Sequence, residues 1–191
     1  MKKEVELQLV IKDPAEVEKE IRKVGKFIGI REQTDRYFVP PYKDFLAKDP
    51  PIEYLRIRYE KDNNHLNYSF LHFDENGWLM VTDEYETLIE NPEIVEEIFK
   101  KIGLILKITV VKTRKVFDCG DLEVTLDNIK DLGDFMEIEA KKDFGNVKKT
   151  REACLKFLKG LDIKYERRRA MGYPRMLYQK LNEQPKHGSR D

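Results

Sequence analysis

Segments in which charged and apolar residues alternate recur along this chain, and they constrain its fold more than any other feature. The first segment, residues 4–11, puts Glu4 and Glu6 on one side and apolar residues on the other. Because successive side chains of a β-strand point to opposite faces, this period predicts a half-buried strand. Further strands are predicted at residues 33–39, 52–59, 65–73, 82–86, 106–117, 122–127 and 135–139.

Amphipathic helices are predicted after three of these strands. Asp13 caps the first helix and Gly25 ends it, while Asn91 caps the second and Gly103 ends it. A third helix is predicted at residues 146–161. The first two helices align without a gap, which suggests that a strand–helix–strand unit is duplicated. Their apolar stripes are Val17, Ile21 and Val24 in the first helix and Val95, Ile98, Phe99 and Ile102 in the second.

About eight strands and three helices predict an α+β fold in which an antiparallel sheet forms a closed or nearly closed β-barrel. Closure leaves no strand edge exposed and gives the sheet an inner face that polar groups can line. The helices are expected to pack on the outside, so that the interior forms a tunnel. The 191 residues suit one domain, which we place at residues 1–181, with a disordered tail at residues 182–191.

Composition argues against several classes of function. Lysine plus arginine and aspartate plus glutamate both number 36, so no excess charge would draw the chain to nucleic acid or to an anionic membrane. Two cysteines are too few for a disulfide framework or a four-thiolate zinc site. No stretch reaches the roughly 18 apolar residues of a membrane span, and we expect a cytoplasmic protein. The sequence does not determine the oligomeric state, and it is compatible with a homodimer.

The charged strand faces allow two interpretations. In the first interpretation the charges point to solvent and pair across strands, and each pair contributes only roughly a few tenths of a kcal/mol to the stability of the fold. However, the opposite faces are apolar, and outer helices would turn the charged faces inward. Buried carboxylates and guanidinium groups are costly unless they neutralise each other or bind something. A metal-chelated polyphosphate meets both needs, because carboxylates bind Mg²⁺ or Mn²⁺ and cationic side chains bind phosphate.

The order and spacing of several short motifs resemble the CYTH or triphosphate-tunnel metalloenzyme family. This family includes class IV adenylate cyclases and thiamine triphosphatase, and the resemblance spans residues 1–177. The motifs are Glu4-Val5-Glu6, Gln33-Thr34-Asp35-Arg36-Tyr37-Phe38, Leu55-Arg56-Ile57-Arg58, Lys112-Thr113-Arg114, Leu126-Asp127, Leu132-Gly133 and Glu137-Ile138-Glu139. Each motif alone is weak, and their order carries the resemblance.

The resemblance implies a role for each charged group. The carboxylates that would bind Mg²⁺ or Mn²⁺ are Glu4, Glu6, Asp127, Glu137 and Glu139. The residues that would bind the triphosphate are Arg56, Arg58, Lys112 and Arg114. Glu84 and Glu86 would be additional tunnel acids. The sequence does not identify the catalytic residue; Tyr37 could orient a water or bind a base, or it could be a core aromatic.

Two departures from the family pattern leave the activity open. The lysine expected two residues after Glu6 is Gln8, and the strand that contains Asn67 and Ser69 lacks the lysine that family members carry there. Fewer cations would stabilise less charge during phosphoryl transfer. We therefore retain three hypotheses for a small-molecule triphosphate or nucleotide ligand. They are a metal-dependent triphosphatase, a class IV-type adenylate cyclase that makes cyclic AMP from ATP, and a non-catalytic binder. We favour the triphosphatase because hydrolysis needs only a positioned water.

Overall fold

The computed structural model describes residues 2–167 and 172–183. Its strands are β1 (Lys2–Glu4), β2 (Glu6–Ile11), β3 (Lys26–Val39), β4 (Glu53–Glu60), β5 (His65–Phe73), β6 (Leu79–Leu88), β7 (Ile105–Cys119), β8 (Leu122–Ile129), β9 (Gly133–Ala140) and β10 (Tyr165–Arg167). Its helices are α1 (Pro14–Val24), α2 (Pro92–Lys101), α3 (Val147–Lys159) and α4 (Tyr173–Glu183). In the part of the chain that is described, no helix is long and apolar enough to cross a membrane.

All the strands belong to one antiparallel sheet, in the order β1-β6-β5-β4-β3-β7-β8-β9-β2-β10. The first predicted strand is divided at Val5, so that β1 pairs with β6 while β2 pairs with β9. The N-terminal segment therefore contacts both ends of the strand series. This arrangement curls the sheet into a half-barrel around a tunnel-like interior.

The prediction of about eight strands in a closed or nearly closed barrel is corrected in two respects. The division at Val5 adds one strand and β10 adds another, which gives ten in the described part of the chain. Within the same residues, β1 and β10 are the edges of the sheet, and no pairing between them closes it. The α+β class and the antiparallel sheet are confirmed.

The longest strands, β3 and β7, form the middle of the sheet. They pair from Lys26 opposite Asp118 to Val39 opposite Ile105. Two register shifts interrupt this pairing, and such bulges bend and twist the strands that carry them. The two strands follow α1 and α2, as the predicted duplication requires.

A hydrophobic core lies between the outer face of the sheet and the helices α1 and α3. Side chains in this core include Leu9, Ile21, Phe117, Val124, Met136, Ile138, Cys154 and Leu158. Helix α1 begins at Asp13, whose Oδ1 accepts a hydrogen bond from the backbone N–H of Glu16 at 3.0 Å. The predicted stripe of α1 is confirmed at Val17 and Ile21, but Val24 is exposed.

The predicted stripe of α2 is confirmed in part, since Val95 and Phe99 are half-buried and the Phe99 ring meets the Phe38 ring edge-on with centroids 5.2 Å apart. Ile98 and Ile102 of the predicted stripe are 51% and 67% exposed. Glu96 is buried instead, where its carboxylate accepts a hydrogen bond from Tyr59 at 2.8 Å and forms an ion pair with Arg36 at 2.9 Å. Because these partners lie on β4 and β3, they turn the polar Glu96 toward the sheet and the isoleucines toward solvent.

A second core closes one end of the half-barrel. It contains Tyr173, Met176 and Leu177 of α4, a helix that we did not predict, packed with Phe135 of β9. Helix α4 extends to residue 183, so that the first two residues of the predicted tail are helical, and residues 184–191 lie outside the described residues. The domain boundary itself stays a prediction. This end of the interior is apolar, and the polar interior lies beyond it.

We expect Ile138→Ala to lower the free energy of unfolding by about 2–5 kcal/mol, because it opens a cavity in the outer core. Ile138 is 0% exposed. Chemical denaturation followed by circular dichroism measures this change. The matched control is Ile30→Ala, also on a strand but 57% exposed, for which we expect a loss below about 1 kcal/mol. Equal losses in the two variants would contradict this assignment of the core.

Candidate functional site

A cavity of about 280 Å³ occupies the polar part of the half-barrel. Of the twelve residues that the sequence proposed for the site, eleven line this cavity, and the twelfth, Asp127, is bound to Arg114 beside it. The strand alternation therefore placed the charged faces correctly on the inside. We call Arg56, Arg58, Lys112 and Arg114 the cationic cluster. We call Glu4, Glu6, Glu84, Glu86 and Glu139 the acidic cluster.

Asp35 orients the two arginines of the cationic cluster that lie on β4. It lies opposite Arg58, whose Nε and Nη2 donate to its Oδ1 and Oδ2 at 2.7 and 2.8 Å. Arg56 Nη1 donates to Oδ2 at 3.4 Å. Burial opposes ionisation of Asp35, but Arg58 and Arg56 outweigh it and hold the pKa of this carboxyl well below its usual range. Asp35 is therefore a fixed counter-ion for both guanidinium groups.

Arg114 is held by two carboxylates that were predicted to bind metal. Its Nε and Nη2 donate to Oδ1 and Oδ2 of Asp127 at 2.7 and 2.5 Å, and Nη2 also donates to Glu137. The hydroxyl of Tyr173 donates to Asp127 at 3.0 Å. Burial acts against ionisation of Glu137, but Arg114 and Lys112 prevail and lower its pKa to about 2. Asp127 and Glu137 thus neutralise Arg114, and a metal-binding role for them stays a prediction that this geometry does not favour.

Lys112 is the member of the cationic cluster with the loosest pairing. Its side chain is 3% exposed, and its Nζ lies 3.8 Å from Asp35 and 3.9 Å from Asp127, beyond hydrogen-bond distance. Burial and then repulsion by Arg114 lower the pKa of Lys112 to about 8. A buried ammonium group with distant counter-ions can bind an additional anion without first breaking a close ion pair.

The acidic cluster contains carboxylates that repel one another. Strand β2 places Glu6 opposite Glu139 of β9. Burial and then repulsion by neighbouring glutamates raise the pKa of Glu6 and of Glu4 well above the usual range. Lys2 Nζ lies 2.8 Å from Glu139 and 3.7 Å from Glu4, which offsets part of this repulsion. An additional bound cation would offset more of it.

A divalent cation suits the chemistry of the acidic cluster, although the cluster is not a finished metal site. Carboxylate oxygens are the hard ligands that Mg²⁺ and Mn²⁺ prefer. Over residues 2–167 and 172–183, however, no group of three or more Asp, Glu, His or Cys side chains is arranged so that it could hold a metal ion. Mg²⁺ commonly takes one or two carboxylates and completes its shell with water and substrate phosphate. Metal binding here stays a prediction.

The two departures from the family pattern both lie on the cavity wall. Gln8 donates from Nε2 to Glu137 at 2.9 Å. Asn67 donates from Nδ2 to Glu84 at 3.3 Å, and Ser69 donates to Asn67 at 2.7 Å. Neutral amide and hydroxyl groups thus satisfy acids that a lysine would otherwise neutralise. The cavity consequently carries less positive charge than the family resemblance implied.

Tyr37 lines the cavity but is poorly suited to act as a base. Its ring meets the ring of Tyr54 edge-on, with centroids 5.7 Å apart, and the residue is 7% exposed. Burial and then the nearby Asp35 raise the pKa of Tyr37 to about 12. The hydroxyl remains protonated at neutral pH and can donate a hydrogen bond.

Several residues that line the cavity, or that hold the side chains lining it, were assigned no role from the sequence. Asp35 shares the inner face of β3 with Tyr37, so the alternation of that strand was a signal that could have identified it. Tyr173 comes from α4, where no strand pattern leads to it. Trp78 and Arg167 also line the cavity, and neither belongs to a charged strand face that we recognised.

Solved structures with the same fold include proteins from distant organisms. A Pyrococcus horikoshii protein is 29% identical, with a TM-score of 0.77 over 93% of this chain and 99% of its own. A Hippeastrum protein, described as a proposed adenylyl cyclase with a dominant triphosphatase activity, is 17% identical. Its TM-score is 0.67 over 94% of this chain and 96% of its own, which shows the shared fold.

Sequence comparison extends the likeness beyond the fold. A Methanocaldococcus jannaschii protein named as a proposed adenylate cyclase is 33% identical over 162 residues, which are 84% of this chain and 90% of the relative. The sequence profile of the CYTH domain matches residues 2–171. With the charged cavity, the half-barrel and this match, the chain belongs to the CYTH domain family.

Proposed function

We propose that this chain is a metal-dependent hydrolase of small molecules that carry a triphosphate. The observation that carries the proposal is one cavity whose wall joins a cationic cluster to a cluster of mutually repelling carboxylates. A metal-chelated polyphosphate has the complementary charge distribution, since its oxygens match the cations and its metal matches the acids.

The cationic cluster would bind the phosphate oxygens. Asp35 and Asp127 hold Arg58 and Arg114 through two hydrogen bonds each, so these guanidinium groups are oriented before the ligand arrives. Lys112, whose Nζ lies 3.8 and 3.9 Å from its two counter-ions, adds positive charge that the closely paired arginines do not supply. Such preorganised charge stabilises the transferring phosphoryl group more than mobile groups can.

The acidic cluster would hold Mg²⁺ or Mn²⁺ through one or two carboxylates from among Glu4, Glu6 and Glu139, and phosphate oxygens and water would complete the coordination. When bound, the metal would neutralise charge on the phosphates that the carboxylates themselves would repel. We leave Asp127 and Glu137 out of this set because Arg114 engages both. In the hydrolysis, a water oxygen bonds to the terminal phosphorus, the bond from that phosphorus to the bridging oxygen breaks, and the water gives up a proton to the solvent. The products are orthophosphate and a polyphosphate that is shorter by one phosphate.

Two relatives support a phosphoryl-transfer site and leave the product to be decided. The Hippeastrum protein is described with a dominant triphosphatase activity, which matches our first candidate. The Methanocaldococcus jannaschii relative is named as a proposed adenylate cyclase, which favours a second candidate, a cyclase that makes cyclic AMP from ATP. Both reactions use the same phosphate and metal groups, so the products distinguish them.

We expect the purified protein to release phosphate from tripolyphosphate or ATP with Mg²⁺ or Mn²⁺, and Glu6→Gln to lower this rate about 100-fold. The variant removes a carboxylate from the acidic cluster. The matched control is Glu90→Gln, which alters an exposed glutamate and should retain the wild-type rate. Phosphate detection and chromatography of cyclic AMP measure the two products. Release that is no faster than in Glu6→Gln would contradict the proposed hydrolase, and cyclic AMP as the main product would identify a cyclase.

We expect the affinity for tripolyphosphate to fall as the pH rises above about 8. The pKa of Lys112 is lowered to about 8, so its positive charge is present below that pH and is lost above it. Lys112→Arg keeps its charge throughout, and the phosphate groups titrate identically with both proteins. Calorimetry from pH 6.5 to 9.5 should therefore show wild type losing affinity relative to Lys112→Arg, by at most about tenfold per pH unit. A constant ratio of the two affinities would show that Lys112 does not pair with the ligand.

We expect Gln8→Lys to raise the rate of tripolyphosphate hydrolysis, because it returns a cation to the wall beside Glu137. Gln8→Met, which is neutral and of similar size, is the control and should give no increase. If wild type binds tripolyphosphate without turnover and only Gln8→Lys hydrolyses it, the natural chain is a non-catalytic binder. Equal rates in the lysine and methionine variants would show that Gln8 does not limit the charge at the reacting phosphate.

A further inference from the structure

The cavity reaches the start of β6, where Trp78 and Leu79 lie close to β10 and α3. We call this region, lined by Trp78, Leu79, Arg151 and Arg167, the seam. The seam thus combines an aromatic ring, apolar surface and two arginines in one region of the same cavity.

Trp78 is held in place by the turn that joins β5 to β6. Asp74 Oδ1 accepts hydrogen bonds from the backbone N–H groups of Asn76 and Trp78 at 2.9 and 2.8 Å. Gly77 adopts a φ of 76°, which favours glycine, and its N–H donates to the backbone carbonyl of Asp74 at 3.0 Å. The indole is consequently presented to the cavity by a hydrogen-bonded turn, and its position does not depend on a ligand.

Two arginines flank the indole. The guanidinium carbon of Arg167 lies 4.4 Å from the centroid of the Trp78 ring, within cation–π range. Arg151 donates to the backbone carbonyl of Leu79 at 2.7 Å. Burial and then repulsion by Arg167 lower the pKa of Arg151, which shows that the two positive charges are close. Asp74 is the nearby negative charge that acts on this pKa in the opposite direction, so the two arginines and this one acid leave the seam with a net positive charge.

The seam lines the same cavity as the two charged clusters, and its role rests on the phosphates binding as we propose above. With the phosphates on the cationic cluster and the metal on the acidic cluster, the seam is the part of the cavity wall that is left to contact the organic group. Tyr37 and Tyr54 are less suitable for stacking because each is buried against the other. Trp78 is only partly buried and lies on the cavity wall.

We propose that Trp78, with Arg167 over one face of its ring, is a specificity subsite whose other face stacks on the planar aromatic group of an organic triphosphate. The substrate class is then a nucleoside triphosphate or a triphosphate with a similar flat ring. Stacking of a base on an aromatic side chain does not require base-specific hydrogen bonds, so we expect tolerance between bases. Inorganic tripolyphosphate would bind without using this subsite.

Trp78 is the single tryptophan of the chain, so its fluorescence reports directly on the subsite. We expect ATP with Mg²⁺ to quench this fluorescence and tripolyphosphate with Mg²⁺ to leave it unchanged, although calorimetry shows that both bind. Trp78→Leu should weaken ATP binding about tenfold and leave tripolyphosphate binding unaltered. Trp78→Phe keeps an aromatic ring and should retain most of the affinity for ATP.

The possible failures of this experiment are distinct. If ATP binds by calorimetry but does not change Trp78 fluorescence, or if both ligands quench it equally, the subsite is overturned and the phosphate site stands. The same conclusion follows if Trp78→Leu weakens both ligands alike. If neither ligand binds, the proposed function fails and the subsite fails with it.

Discussion

Buried pairs of arginine and aspartate in the inner face of the sheet are the interaction on which the rest of the site depends. Asp35 and Asp127 are each 1% exposed, and each binds an arginine through two hydrogen bonds. Removing these charges from water is expensive unless the geometry of the pair compensates for it. The register of β3 with β4 and of β7 with β8 places each acid directly opposite its arginine. Strand pairing therefore makes a charged interior compatible with a stable fold.

The two charged clusters differ in how far their charges are neutralised by neighbouring residues when no ligand is bound. The arginines have fixed counter-ions, whereas the carboxylates of Glu4 and Glu6 face further carboxylates that raise their pKa. The cationic cluster is thus ordered in advance, and the acidic cluster gains most from a bound cation. This difference suits a site that binds a metal and an anion together. The metal would offset repulsion within the acidic cluster, and the anion would offset the positive charge of the cationic cluster.

Much of this site follows from the alternation of residues along strands, and the remainder depends on tertiary contacts. Alternation predicted that Glu6 and Arg56 lie inside, and the structure confirms both positions. It could not reveal that Arg114 would engage Asp127 and Glu137, because partner choice depends on the register of β7 with β8 and of β8 with β9, which alternation within one strand does not set. The family resemblance assigned those two acids to a metal without considering this competition.

The errors in the fold prediction have a similar origin. A periodic stripe on α2 predicted four buried residues, but Glu96 pairs with Arg36 of the sheet, and only Val95 and Phe99 of the stripe are half-buried. The division at Val5 and the addition of β10 depend on how the curled sheet meets itself, which no local pattern records. Helix α4 closes the apolar end through contacts with residues far away in the chain.

A crystal structure of the protein with tripolyphosphate and Mn²⁺, with the metal located by anomalous scattering, tests the central claim most directly. The account predicts an Mn²⁺ peak beside Glu4, Glu6 and Glu139, coordinated also by phosphate oxygens. It further predicts that the phosphates contact Lys112 and the arginines of the cationic cluster. A polyphosphate bound outside this cavity, or Mn²⁺ bound away from the acidic cluster, would contradict it.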